Sequence, residues 1–192
     1  GNNTKNAGLL LEELLNVKSE TQNLDFKEWF NWSKASKPEK IGLVKDVLSI
    51  SNVKDGGKIV IGVENKQYNP VGLTEEDFYS FDTTSFNQFL HNYTDPLLSC
   101  VIHKVSRDGK NFVIIGIPEF SEIPILSKDK ASDEKGREIL KKGQIYYRTE
   151  KASSEVIAST EDMRELLGRA LLKKKQELLH SIETILEGRL TT

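Results

Sequence analysis

The spacing of apolar residues predicts helices that alternate with strands along this chain. Leucines at steps of three and four residues predict a helix over residues 8–17, and a similar pattern predicts a second helix that ends near Asn52. A third helix is predicted over residues 81–93. The longest apolar stripe follows Ser159, a residue type typical of helix N-caps, and predicts a helical tail over residues 160–190.

Two-residue alternation and short apolar runs predict the strands. Residues 23–30 alternate apolar with charged positions, which places Asp25 and Lys27 on one face of a half-buried strand. Residues 58–63 are almost wholly apolar and predict a buried central strand. Four more strands are predicted, of which the first two form an antiparallel hairpin: residues 98–105, 111–117, 123–126 and 144–148.

These elements predict an α/β (α+β) fold, in which a mixed β-sheet is flanked by helices and followed by a long C-terminal helix. We place one domain at residues 8–159 and a helical tail at residues 160–190. The polar segment 127–143 has few large apolar residues, so we expect a mobile loop outside the core. Gly56 and Gly57 precede a strand, whereas phosphate-binding loops precede a helix, and we interpret them as a tight turn with positive φ.

The composition limits the partners and the location of the protein. The formal net charge of −2 argues against a protein that coats DNA through its overall charge, because such binding grows with the number of phosphates neutralised. Eight basic residues against five acidic ones between Leu126 and Lys151 favour a local basic surface instead. The single cysteine excludes an internal disulfide, and no apolar run approaches membrane-spanning length. We therefore expect a cytoplasmic protein without a membrane partner.

Three ordered stretches resemble the Schlafen AlbA-like domain, a family also described as DNA-binding or divergent AAA-associated. In the first, residues 20–27, an acid and four further residues precede Asp-Phe-Lys. The second, residues 45–73, contains the paired glycines and an apolar strand that is followed by Glu64. The third, residues 143–148, ends in Tyr-Tyr-Arg. The resemblance covers most of residues 20–148 and implies a mixed sheet flanked by helices.

The resemblance also implies occurrence in bacterial regulators and defence proteins and, in some animal members, RNA cleavage by three acids. On this chain these acids are Glu20, Asp25 and Glu64, which we expect to converge on one Mg²⁺ or Mn²⁺ ion, since hard cations prefer oxygen ligands. Lys27 would stabilise the charge that develops on the scissile phosphate. The family pattern has Glu as the second acid and Asp as the third, so both carboxylates are displaced here by about one methylene.

Basic and aromatic residues near the third stretch are candidates for nucleic-acid contact, because cations neutralise phosphates and aromatic faces stack on bases. The candidates are Lys128, Lys130, Arg137, Lys141, Lys142, Tyr147 and Arg148. Strand alternation places Tyr146 and Arg148 on one face and Tyr147 on the other. The alternative is that one tyrosine belongs to the core and that the arginine is merely solvated.

These observations predict a nucleic-acid-binding domain of a transcriptional regulator or defence protein, with DNA and RNA equally compatible. Two alternatives stay open at this stage: an Mg²⁺- or Mn²⁺-dependent endoribonuclease, and a regulatory or oligomerisation module. Binding requires a continuous basic groove, cleavage requires three converging carboxylates, and oligomerisation requires an exposed apolar helix. Leucines and isoleucines between Leu178 and Leu186 have no evident partner within the domain, which favours a homodimer through the C-terminal helix.

Overall fold

The computed structural model describes residues 2–190, in which helices and strands alternate at first and are followed by a run of eight strands and a final helix. The helices are α1 (Asn2–Val17), α2 (Lys37–Ser51), α3 (Glu75–Ser80), α4 (Thr83–Leu90) and α5 (Thr160–Leu190). The strands are β1 (Leu24–Lys27), β2 (Gly57–Ile61), β3 (Thr94–Asp95), β4 (Val101–Arg107), β5 (Lys110–Ile117), β6 (Leu126–Ser127), β7 (Ala131–Ser132), β8 (Glu138–Leu140), β9 (Tyr146–Arg148) and β10 (Ser154–Val156).

A four-stranded mixed sheet in the order β1-β2-β5-β4 forms the centre of the fold. Strand β1 runs parallel to β2, whereas β5 is antiparallel to both of its neighbours. Because β2 is covered on both faces, its residues Ile59, Val60 and Ile61 are fully buried. The predicted fold class, the central strand, the β4–β5 hairpin and the long C-terminal helix are therefore confirmed.

Alternation along the sheet strands divides the core into two layers. Val60 and Ile114 face α1, whose Leu11 is fully buried in the same cluster. Ile59 and Ile115 face the opposite layer, which contains α2, α4, β8 and β9. Complete burial of one such aliphatic side chain contributes roughly 1.5–3 kcal/mol, so both layers stabilise the sheet. In β1 this alternation turns Phe26 toward α1 and Asp25 toward α2 and β9.

The structure corrects the expectation that segment 127–143 is a loop outside the core. The segment contains a two-stranded antiparallel sheet of β7 and β8, which satisfies part of its own backbone hydrogen bonding. Leu140 is fully buried and Ala131 is nearly so, and both belong to the α2 side of the core. The few apolar side chains of this polar segment therefore belong to the core, but they are too few to produce a sequence pattern.

The helix predicted over residues 81–93 is shorter in the structure, and a second short helix precedes it. Helix α4 ends earlier, at Leu90, and α3 precedes it as a separate helix that the apolar spacing does not show. The side chain of Thr74 caps α3 by accepting a hydrogen bond from the Asp77 amide, and three acids occupy its first turn. Acidic residues in the first turn of a helix interact favourably with the positive end of its dipole. The sequence signal for this helix is therefore its cap and its acids, and not an apolar stripe.

Helix α5 begins against the body of the protein and then leaves it. Leu166 is fully buried, while Arg169 and Lys173 lie 3.0 and 3.1 Å from the Glu119 carboxylate. Residues 174–189 are exposed. None of the helices among residues 2–190 is both long and apolar enough to cross a membrane. The division into a domain at 8–159 and a tail stays a prediction, because the first turns of α5 pack on the body.

Position 57 requires glycine because the backbone of Asn23 passes too close for a side chain, and not because of the positive φ that the sequence suggested. Positive φ occurs at Asp55 and Gly56, whereas a Cβ atom on Gly57 would lie 2.2 Å from the Asn23 carbonyl oxygen. We expect Gly57→Ala to destabilise the protein by about 2 kcal/mol or more in urea unfolding, because backbone atoms cannot move aside cheaply. Gly42→Ala in α2 is the control: a Cβ there meets nothing within 4 Å, so stability should be unchanged or rise by up to about 1 kcal/mol. Equal effects of the two changes would contradict this assignment.

Glu119 makes the attachment of α5 sensitive to acid. Burial raises its pKa, but hydrogen bonds from the Asp55 amide, Lys173 and Arg169 outweigh burial and leave the pKa below its ordinary value. The stability that this carboxylate contributes is therefore complete above its ordinary pKa and is lost as the pH falls through the lowered value of the folded state. We expect Glu119→Gln to cost about 1–2 kcal/mol at neutral pH and progressively less in acid, as measured by denaturant unfolding. Glu122→Gln on the exposed loop should cost nothing at any pH.

Candidate functional site

A buried cluster of charged side chains joins the edge of the sheet to the α2 layer. One oxygen of Asp25, Oδ1, accepts a hydrogen bond from Nη2 of Arg148 at 3.0 Å. The other, Oδ2, lies 3.1 Å from Nζ of Lys27, in an ion pair that lacks hydrogen-bond geometry. Nζ of Lys27 also lies 2.9 Å from Oδ2 of Asp46 on α2. Arg148 and Asp25 are only 2% and 5% exposed, so each charge depends on the others for its solvation.

The Arg148 guanidinium makes further contacts that complete its coordination. It donates to the carbonyl oxygens of Thr21 and Leu24 and to Oγ of Ser154. Ser154 in turn donates to Oδ1 of Asp46 at 2.7 Å. These contacts tie β1, α2, β9 and β10 to one side chain, which fixes the position of β9 against the sheet.

Glu20 lies beside this cluster and within hydrogen-bonding reach of Asp25. Burial and the negative charge of Asp25 raise the pKa of the Glu20 carboxyl, although the Phe26 amide and Arg148 oppose this effect. Burial alone would lower the pKa of Lys27, but the Asp46 and Asp25 carboxylates outweigh burial and raise it above its ordinary value. Lys27 therefore stays charged between its two carboxylates, whereas the Glu20 carboxyl loses its proton less readily than a solvated glutamate does.

The structure does not bring Glu64 to the other two acids, which corrects the expected convergence. Asp25 is paired with Ile59 across β1 and β2, and Glu64 lies five positions beyond Ile59, after the end of β2 at Ile61. Its carboxylate accepts hydrogen bonds from the amides of Asn69, Lys66 and Gln67, which lower its pKa. No group of three or more His, Cys, Asp or Glu residues in the described part of the chain is placed to hold a metal ion. The donors present thus do not fit a three-carboxylate Mg²⁺ or Mn²⁺ site.

Tyr147 and Arg148, expected at a nucleic-acid surface, are both buried. The Tyr147 hydroxyl donates to Glu165 of α5 at 3.1 Å, and burial together with this carboxylate raises its pKa to about 12. Tyr146 and Arg148 share the face toward α2, as strand alternation predicted, but neither is solvated. Both faces of β9 are covered, by α2 on one side and α5 on the other, and this leaves no exposed face for base stacking.

Three of the other candidate cations are exposed and held close together. Buried Ser127 accepts a hydrogen bond from the Gly143 amide and donates its own amide to the Gln144 carbonyl. Its hydroxyl also donates to the Lys141 carbonyl oxygen. Because Lys128 follows Ser127 directly, these bonds place it beside Lys141 and Lys142, and all three side chains are exposed. We call Lys128, Lys141 and Lys142 the lysine cluster.

Lys130 and Arg137 lie on the β7–β8 segment that connects the two parts of the lysine cluster. Both are exposed. Nε of Arg137 lies 3.2 Å from Oδ2 of Asp133, an exposed ion pair that contributes little energy and leaves the arginine able to exchange partners. The candidate cations therefore divide into five exposed residues around 128–142 and one buried arginine.

Asp46, Ser154 and Ser127 are the positioning residues that the sequence analysis missed. Asp46 lies in α2 between the buried residues Val44 and Val47, and a carboxylate among apolar helix positions is a signal that a buried cation lies nearby. The two serines carry no comparable signal, because their roles depend on strands that are distant along the chain.

The buried cluster predicts a strong coupling between Asp25 and Arg148. Asp25→Asn should destabilise the fold by about 3–5 kcal/mol, because it leaves the Arg148 charge buried without its nearest carboxylate. The double change Asp25→Asn with Arg148→Met should cost clearly less than the sum of the single changes in urea unfolding. Asp108→Asn in the exposed β4–β5 turn is the control and should cost less than about 0.5 kcal/mol. Additive single effects would show that the ion pair is not energetically coupled.

Two solved structures are similar to this chain, and the first of them supports the fold. The crystal structure of the DIP2311 protein from Corynebacterium diphtheriae is 16% identical, with a TM-score of 0.50; the match covers 85% of this chain and 28% of that one. The N-terminal domain of a RecG-related protein from Nitrosomonas europaea is 19% identical, with a TM-score of 0.43; the match covers 77% and 94%. This chain thus spans well under two thirds of the first protein, and at such identity the likeness shows the fold alone.

Sequence comparison assigns the family. No curated protein sequence matches this chain. The family described as Schlafen, AlbA_2 matches residues 20–157, a range that contains the buried charge cluster, the lysine cluster and the whole mixed sheet. This range is well over half of the chain and agrees with the three stretches that carry the resemblance in the sequence. The chain therefore belongs to the Schlafen AlbA_2 family.

Proposed function

We propose that this domain binds nucleic acid through the lysine cluster, with Lys130 and Arg137 extending the contact along the β7–β8 segment. The observation that carries the proposal is the fixed backbone around Ser127, which holds three exposed lysines together. Lysine side chains anchored at neighbouring backbone positions can neutralise adjacent phosphates with little loss of backbone entropy on binding. The overall charge of −2 favours binding through a local basic surface over binding through the total charge of the protein.

The buried charge cluster stabilises the backbone that carries the lysine cluster. Arg148 fixes β9, and the Tyr146 hydroxyl in the same strand accepts a hydrogen bond from the Lys141 amide at 2.8 Å. A buried, fully paired arginine thus keeps the lysine cluster in place, while the exposed lysines make the contacts. Phosphate contacts of this kind do not discriminate among base sequences, so we expect affinity with little sequence preference.

Binding is better supported than metal-dependent cleavage. Cleavage by the three acids would require Glu64 to lose the hydrogen bonds that it accepts from the amides of its turn. Asp25 would also have to lose its ion pairs with the neighbouring cations. Lys27 is held between two carboxylates and is not free to stabilise a phosphate. A nucleic-acid-binding role needs none of these changes.

The lysine cluster can be tested by the salt dependence of binding. Changing Lys128, Lys141 and Lys142 together to Ala should weaken the affinity for labelled single-stranded RNA, single-stranded DNA and duplex DNA. The slope of log affinity against log salt concentration should become shallower by up to about three units, because up to three phosphate contacts are lost. Fluorescence anisotropy at several salt concentrations measures both quantities.

A matched control removes the same charge elsewhere. Lys37, Lys54 and Lys66 are exposed and lie outside segment 128–142, so their triple change to Ala should leave the salt slope near that of the parent. Equal slopes for the two triple variants would remove the lysine cluster from the interface. The same titrations with Mn²⁺ and with EDTA should give the same affinity and no cleaved product. Cleavage that needs Mn²⁺ and disappears in Glu20→Gln would favour the endoribonuclease instead.

A further inference from the structure

An apolar stripe runs along α5 where the helix leaves the body. It consists of eight aliphatic side chains that are each 49–70% exposed: Leu167, Leu171, Leu172, Leu178, Leu179, Ile182, Ile185 and Leu186. Single exposed leucines are common on protein surfaces, but a continuous apolar patch larger than a few hundred Å² marks an interaction surface. At its start the stripe meets exposed Ile123, and the two form the sides of an open groove on the body.

The stripe repeats every seven residues, which indicates the kind of partner that it fits. The adjacent pairs Leu171–Leu172, Leu178–Leu179 and Ile185–Leu186 are each separated by seven positions, and Ile182 lies between the last two pairs. A straight α-helix of 3.6 residues per turn cannot keep such a repeat on one line, so the repeat is suited to supercoiling around another helix with the same period. No other helix in residues 2–190 lies against this part of α5.

We propose that α5 pairs with the same helix of a second copy in an antiparallel two-helix coiled coil. The apolar pairs are symmetric about the point between Leu178 and Leu179, so an antiparallel partner centred there sets Leu171–Leu172 of one copy opposite Ile185–Leu186 of the other. Both helices then bury their whole stripe, and Leu186 of the second copy reaches the groove beside Leu171. The contact is isologous and closes as a dimer.

Charge decides the direction of the pair. Lys175 lies within the stripe, seven residues before Ile182. In a parallel pair two copies of Lys175 would face each other in the interface, whereas in the antiparallel pair Lys175 lies opposite Ile182 and can extend its amine to the edge. This dimer is independent of nucleic-acid binding, since the lysine cluster lies outside α5.

The dimer can be tested by light scattering on the full chain. The parent should have twice the mass of one chain, and Leu179→Glu with Ile182→Glu should reduce it to a monomer, because two charges are placed in the centre of the stripe. His180→Glu with Thr184→Glu adds the same charges on the opposite side of the helix and should remain a dimer. Thermal unfolding should show that the domain stays folded in both variants, since neither pair of side chains packs on the body. A monomeric parent, or a dimer that survives the stripe variant, would overturn the proposal.

Disulfide cross-linking tests the direction. The native Cys100 is buried, and burial raises its pKa to about 12, so it does not compete with an introduced cysteine. Chains with Leu172→Cys should cross-link to chains with Leu186→Cys when the two are mixed under oxidising conditions. In the antiparallel pair, two Leu172→Cys chains hold their thiols about 20 Å apart and should not cross-link. Efficient self-cross-linking of Leu172→Cys, without the mixed product, would show a parallel pair and overturn the antiparallel assignment.

Discussion

The need to neutralise one buried guanidinium governs how strand β9 packs against β1 and α2. Arg148 comes from β9, late in the chain, and it is 2% exposed in a layer that is otherwise apolar. A buried charge of this kind is tolerated only when opposite charges and hydrogen-bond acceptors surround it, because it has lost the solvation of water. Asp25 on β1, Asp46 on α2 and the backbone carbonyls before β1 supply that surrounding. Because these groups come from different elements of the fold, the cluster holds those elements together and has a structural role.

The main consequence of this cluster is that β9 can pack against the rest of the domain in only one position. Aliphatic packing alone would allow β9 to shift against α2 at modest cost, since hydrophobic contacts have no direction. A planar guanidinium that must meet Asp25, Thr21 and Ser154 at once accepts only one position. Asn52 acts in a similar way nearby, where its buried amide bonds the backbone of Ile125 and Tyr146. Together the two side chains fix the position of the late part of the chain, which also contributes Ile125, Leu140 and Tyr146 to the apolar core.

The sequence predicts the parts of this fold that depend on local pattern. The burial of Ile59 to Ile61, the hairpin around Gly109 and the shared face of Asp25 and Lys27 all follow from short-range alternation, and all are confirmed. The burial of Arg148 could not be predicted in this way, because its carboxylate partners, Asp25 and Asp46, lie more than one hundred positions away along the chain. The same limit hid Ser127, whose bonds to residues 141–144 hold the lysine cluster together. Long-range polar contacts leave no periodic signal in a single sequence.

The acids that the family resemblance singles out have separate roles in this chain. Glu64 closes a turn, Asp25 neutralises Arg148, and Glu20 lies at the margin of the cluster, where burial and the charge of Asp25 raise its pKa. A carboxylate that accepts hydrogen bonds from amides or balances a buried cation is no longer a free ligand, because leaving its partners would cost more than a solvated ion pair returns. Asp25 and Glu64, in their separate places, are therefore both engaged with partners other than a metal ion. The exposed lysines of the lysine cluster take no part in these pairs, and the proposed contact with phosphates depends on them and not on the acids.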